Sequence, residues 1–168
     1  MKVKKSPIPQ DSITGNFLPA DYWDVYICKC NFEKKMTPDD LMVGFWTNFP
    51  NWVKALFKLR NFLVKFVGLK SDESSPEKLE RCIRTGEAYG FVSVPAKSEN
   101  ETVLLLTDKH LDAYISVYVE SEEVHKTISA ITLVNFKNKL GRIYFFIIRP
   151  FHSLIVKSLL KRTAKLVI

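Results

Sequence analysis

Five side chains in this sequence have the chemistry and spacing to hold a ligand or move a proton. His110 and Asp112 stand two apart in a run that reads as a strand, so they share a face. A carboxylate that orients an imidazole makes a general base or a metal ligand. The same two residues line up with Tyr114, Ser116 and Tyr118 on the more polar face, which points them toward solvent as an ordinary surface pair. Arg60 and Asn61 lie in an apolar helical run. The planar fork of Arg60 suits a carboxylate or phosphate on a ligand, and it equally suits an ion pair to Glu80 or Glu87 that would pin two helices. His152 follows Pro150, where it can contact a ligand or bond a backbone carbonyl freed by that proline. These five residues are expected as ligand-binding positions. No catalytic residue is expected, because no Gly-x-Ser-x-Gly or comparable nucleophile motif is present. His110, His125 and His152 lack helical His-x-x-x-His spacing, so neither a metal nor a cofactor is expected.

The elements that would position these groups follow from pattern. Residues 1 to 20 are rich in Pro and polar groups and read as an extended segment, ahead of a single domain over residues 21 to 168. Tyr22 to Cys30 alternates and favours β-formers, so it is the first strand. Thr37-Pro38-Asp39-Asp40 combines a cap, a proline suited to the first helical position and two acids in the first turn, and a helix should run from there to about Thr47. A second helix should open at Pro50 and end near Gly68, with Trp52, Leu56, Leu59, Leu63 and Phe66 on its buried stripe and Val53, Phe57 and Phe62 widening it. Pro76 to Cys82 reads as a short helix. Four strands should follow, Tyr89 to Val94, Thr102 to Thr107, Ala113 to Glu120 and Thr127 to Phe136, and their short polar links favour antiparallel neighbours. Ala113, Ile115, Val117 and Val119 form an apolar face and Tyr114, Ser116, Tyr118 and Glu120 a face expected to meet water. The stretch Gly141 to Ile168 reads as a long C-terminal helix that covers the sheet with Phe151, Ile155, Val156 and Leu159, kinked or restarted at Pro150.

Composition narrows the class. The chain has 168 residues, 46% hydrophobic and 26% charged, the profile of an ordinary globular domain large enough for a sizeable core. Cys28, Cys30 and Cys82 have no paired spacing, so reduced thiols are expected, as in a cytoplasmic protein. Lysines at 2, 4 and 5 are followed by prolines rather than an apolar run, so no secretory signal is read. Ile143 to Leu160 contains Arg149, Pro150, His152 and Lys157, and a central Arg or Lys costs roughly 3 kcal/mol on insertion, so no transmembrane segment is expected. The net charge of +7 includes Lys157, Lys161 and Lys165 at helical spacing, with Arg162 beside them. This stripe can touch an anionic surface, but it reads first as the solvated back of an amphipathic helix. No motif for binding nucleic acid accompanies it.

Leu59-Arg60-Asn61, Gly68-Leu69-Lys70, His110-Leu111-Asp112, Gly141-Arg142-Ile143-Tyr144-Phe145 and Pro150-Phe151-His152 occur in that order. Together they resemble a bacterial family catalogued as a domain of unknown function, over roughly Asp21 to Arg162. That family is similar in layout to the helix-grip superfamily (START-like, SRPBCC), which includes lipid carriers, polyketide cyclases and birch-pollen-allergen-like proteins. The resemblance implies an α+β fold, with a curved antiparallel β-sheet wrapped around a long C-terminal helix and two helices after the first strand. It also implies an apolar or amphipathic small molecule in a cavity between sheet and helix. Some relatives carry a dehydrogenase-like nucleotide-binding domain, but this chain has no Gly-x-Gly-x-x-Gly loop. A binding role is therefore expected ahead of an enzymatic one. The alternatives are a cyclase- or isomerase-like enzyme using the same cavity, or a protein-interaction module using Tyr114, Tyr118 or the basic helix face. Ligand identity and oligomeric state are not legible.

Overall fold

The computed structural model describes residues 1–31, 34–56, 58, 75–121 and 125–167. Its centre is one antiparallel sheet of six strands: β1 (Val3–Lys5), β2 (Tyr22–Cys30), β3 (Val92–Lys97), β4 (Glu101–Thr107), β5 (Leu111–Ser121) and β6 (Lys126–Phe136). The spatial order is β1-β2-β6-β5-β4-β3. β3 to β6 form a meander joined by short links, and β2 closes back against the last strand. Pro95 sits in β3 at the sheet edge, where a missing amide donor costs least, and the register shifts between Ser93 and Ala96.

Helix α1 (Pro38–Thr47) starts as its sequence dictates. Thr37 and Asp40 form a reciprocal capping box with Pro38 in the first turn. Residues 51–56 and 58 are also helical, while the expected end of that helix near Gly68 and its stripe residues Phe57, Leu59, Phe62, Leu63 and Phe66 lie outside the described residues. Helix α2 (Pro76–Thr85) runs three residues beyond its expected end and stops at Gly86, whose φ of 79° is open to glycine at little cost. Helix α3 (Lys139–Ala164) is the long C-terminal element. It begins two residues before its expected start, because Asn138 caps it by accepting from the Gly141 amide. It passes through Pro150 as one helix rather than restarting there.

Two covers complete the main core. Helix α3 packs on β2 and β6, while α1 packs on β4 and β5. Val156, Leu159 and Leu160 of α3 meet Tyr26, Cys28, Ile128 and Ala130 of the sheet, and Leu41, Met42 and Phe45 of α1 close over Leu104 and Val117. Each such fully buried aliphatic side chain contributes about 1.5–3 kcal/mol. Phe151, expected in this cover, is 47% exposed, so it does not serve there. The two covers are tied together where Arg162 donates to the Asn48 carbonyl and side chain at 3.0 and 3.1 Å.

The opposite face of the sheet corrects the expectation of a solvated surface. Ser116 and Tyr118 are buried, because the N-terminal segment folds over them. Residues 1 to 20 are not simply extended: they contain β1 and a 3-10 turn at Ile13–Phe17. Ile8, Phe17 and Ala20 pack on Val25, Tyr118, Ile131 and Leu133, and Phe17 stacks on Tyr114 with ring centroids 4.5 Å apart. Glu101 lies fully buried beneath this cover. Ser12 Oγ donates to it at 2.9 Å and the Ile13 amide at 2.7 Å, and the Thr14 and Ser116 hydroxyls complete the set. Four donors on two oxygens fit a carboxylate, which only accepts.

Two variants test these anchors. A Cβ at Gly141 would lie 2.1 Å from the His110 carbonyl oxygen, a contact that backbone on both sides prevents from relaxing. Gly141→Ala should therefore lower stability by about 3 kcal/mol in urea unfolding, and an unchanged midpoint would refute this close approach. Glu101→Gln places an amide donor among donors and should cost about 2 kcal/mol by the same measurement. Full stability of that variant would show that the three bonds from Ser12, Ile13 and Thr14 do not hold the N-terminal cover.

Candidate functional site

Of the five residues singled out from sequence, the three that are described do not converge. Arg60 and Asn61 lie outside the described residues. Of the acids suggested as partners of Arg60, Glu80 pairs with Arg84 at 2.8 Å and Glu87 with Arg81 at 2.9 Å. His110 and Asp112 share one end of the sheet but serve different contacts. His110 Nδ1 lies 3.2 Å from the Asn138 side-chain oxygen, and its carbonyl accepts from Lys137 N at 2.9 Å. Asp112 pairs with Lys137 Nζ at 2.7 Å. Both therefore hold the start of α3 against the β4–β5 turn.

His152 stands in a different place, facing β2 from α3. Its Nε2 lies 3.3 Å from Asp24 Oδ2, so that nitrogen is turned to a carboxylate and not to a carbonyl freed by Pro150. Asp24 is 5% exposed, too deep for water to stabilise its charge. Burial pushes its carboxyl up, but the bonds from His152, Tyr22 and Thr132, with the charge of His152, outweigh burial and hold it below the usual carboxylate range. The Tyr22 hydroxyl donates to Asp24 Oδ2 at 2.6 Å. Burial first, then that bond and the Asp24 charge, push the Tyr22 phenol well up, so it keeps its proton near neutrality.

Asp24, with its half-buried partners Tyr22 and His152, backs an open groove between the sheet edge and α3. The groove holds about 380 Å³ and is lined by Lys5, Tyr22, Tyr26, Phe146, Arg149, Pro150 and Ser153. Strand alternation explains its sheet side. Tyr22, Asp24 and Tyr26 share one face of β2, and Lys5 of β1 pairs in register with Tyr26. Helical spacing explains the other side, where Arg149, His152 and Ser153 project toward β2. The Tyr26 hydroxyl and Ser153 Oγ lie 2.7 Å apart. Cations rest on both phenol rings, Arg149 over Tyr22 and Lys157 over Tyr26, each 5.1 Å from the centroid. Lys5 and Arg149 form no ion pair among the described residues, so the groove wall is positively charged.

Tyr22, Asp24, Tyr26, Lys5 and Arg149 were not among the five. A signal was present: an aspartate in mid-strand between two tyrosines of the same parity is costly unless a partner covers it. The partner, His152, is 128 residues away, and no local pattern reveals it. A second hollow, of about 350 Å³, lies between the N-terminal segment and the outer sheet face, bordered by both Lys29 and Glu120. The three cysteines are buried and unpaired. Burial pushes the Cys28 and Cys82 thiols up, and Cys30 up to about 11, so none is a poised nucleophile. Among the described residues, no three of His, Cys, Asp or Glu cluster as a metal site would require.

The lowered Asp24 carboxyl sets a sign for acid behaviour. Its contribution to stability is complete above the ordinary aspartate pKa of about 4, and is lost as pH falls through the lower folded value. Thermal melts should show Asp24→Asn less stable than wild type at neutral pH, with the gap closing in acid. A gap that stays constant would mean that the carboxylate carries no such linkage.

A family model described as protein of unknown function (DUF2867) matches residues 17–159. No curated protein and no solved structure matches the chain.

Proposed function

We infer a binding role for this chain, which belongs to the DUF2867 family of proteins of unknown function. The reading is a helix-grip domain, of the START-like or SRPBCC kind, that takes an amphipathic small molecule through its anionic end. Three features support the helix-grip arrangement. The first long strand lies beside the last, the remaining strands form a meander, and the closing helix packs on both of those strands. One observation carries the ligand class. Lys5 and Arg149, without ion-pair partners among the described residues, border the same groove as the phenols of Tyr22 and Tyr26 and the ring of Phe146. Cations and hydroxyls suit a carboxylate or phosphate, and the rings suit an apolar body. The hollow is open to solvent. Polar recognition must therefore carry more of the affinity than it would in an enclosed cavity, where burial of about 25 cal/mol per Å² dominates. His152 orients the groove wall through Asp24 and does not itself line it. Free, buried thiols support a reducing, cytoplasmic setting.

A second reading, a cyclase- or isomerase-like catalyst, draws on the displaced titrations of Tyr22 and Asp24 at the groove. The bonding opposes it. The Tyr22 hydroxyl is already committed to a hydrogen bond to Asp24, and a raised phenol pKa resists release of its proton. The interaction-module reading loses its aromatic patch, since Tyr118 is buried and Tyr114 lies under Phe17.

The test compares decanoate with decanol by calorimetric titration. Decanoate should bind more tightly, and Arg149→Gln should weaken it about tenfold, the loss of one charge-assisted bond, while leaving decanol unaffected. Equal affinity for acid and alcohol, or indifference to Arg149→Gln, would defeat the reading.

A further inference from the structure

Helix α3 has a second apolar face that no described element covers. Its core side is formed by Phe145, Val156, Leu159 and Thr163. On the other side, Leu140, Ile143, Ile147, Phe151 and Leu154 follow helical spacing and are all exposed, Ile147 to 62%. Phe146, at the groove rim, is 76% exposed. Single exposed aliphatics are ordinary, but a contiguous stripe along four turns marks a surface that meets something apolar.

The charges around the stripe decide among occupants. The helix segment KLGRIYFFIIRPFHSLIVKSLLKRTA contains no acid. Lys139 and Arg142 stand at the stripe's start, Arg149 on its groove flank, and Lys157 and Lys161 beyond its end. Lys5 adds a further cation across the groove. Among the described residues, Arg142 of this set has an ion pair, with Asp21 at 3.9 Å. A second copy of the chain docked on this face would bring these like charges together, which costs energy. A nucleic acid would meet the cations but leave the aliphatic stripe wet. An anionic bilayer satisfies both, with apolar side chains entering the acyl boundary and cations at the headgroups.

By length and composition alone α3 could cross a membrane. Its opposite face, however, is committed to β2, β6 and α1, so the helix can lie on a bilayer without leaving the domain. We propose that the exposed face of α3 seats the protein on an anionic phospholipid surface, with α3 in the interfacial plane. This does not depend on the groove having a ligand.

The experiment is co-sedimentation of the full chain with vesicles of phosphatidylcholine alone and of phosphatidylcholine mixed with phosphatidylserine. The protein should pellet with the mixed vesicles and stay in solution with the neutral ones, and added salt should weaken binding. The double variant Ile147→Ser with Leu154→Ser alters only exposed positions and should bind roughly tenfold less, with an unchanged circular dichroism spectrum. Arg142→Gln should reduce binding to the mixed vesicles by a smaller factor. Absence of vesicle binding, equal binding to neutral vesicles, or full binding by the double variant would overturn the proposal. A wild-type dimer in sedimentation velocity that the double variant converts to monomer would overturn it too, because the stripe would then be covered by a second copy. Decanoate titration of the double variant keeps the two readings apart, since the groove should still bind.

Discussion

The constraint on which the site depends is a buried negative charge. Asp24 sits in mid-strand, where an uncompensated carboxylate would cost several kcal/mol. Tyr22 and Thr132 of the sheet bond it, and α3 pairs it with His152 at 3.3 Å. The pair therefore sets which turn of α3 lies over which residue of β2. Once that register is fixed, Ser153 reaches Tyr26, Arg149 reaches Tyr22 and Lys157 reaches Tyr26 without further choice, because helical spacing dictates them. A pair of this kind adds little net stability compared with an apolar substitute of the same shape. Its value is in specifying one arrangement, and the groove is a by-product of that arrangement.

The start of α3 is fixed by a different means. Asn138 caps the helix and also meets His110, while Gly141 lets the first turn approach the His110 carbonyl closer than any side chain would allow. His110 and Asp112 are thereby explained as parts of a joint between the meander and the helix. The same economy appears on the other sheet face. Glu101 gathers hydroxyls and an amide from the N-terminal segment and from β5, so the chain's first residues become part of the fold. Both sheet faces carry a buried acid, and each acid holds a cover in place.

The two faces of α3 separate two roles on one element. The core side closes the domain, and its packing residues cluster in the helix's second half. The outer side of the first half is apolar and unpaired among the described residues, while lysines take over toward the end. A sequence window averaged over the helix sees only an apolar segment with scattered cations. That average fits a membrane span, a core helix or an interfacial helix alike.

Local structure was largely legible from residues near one another in the chain. The cap at Thr37, the strand over Tyr22 to Cys30, the antiparallel meander and the long final helix all follow from periodicity, turn chemistry and short links, which act over a few residues. The polarity of Tyr114, Ser116 and Tyr118 misled because it suggested solvent, whereas Tyr114 and Tyr118 pack against the segment that contains Phe17 and Ser116 donates to the buried Glu101. Of the candidate positions, His152 came to stand behind the groove wall, paired with Asp24. Which cation meets which ring, and where the hollow opens, depended on contacts across more than a hundred residues. Sequence determines such contacts only through the whole fold, because the energy that selects them arises when β2 and α3 bury their facing sides together.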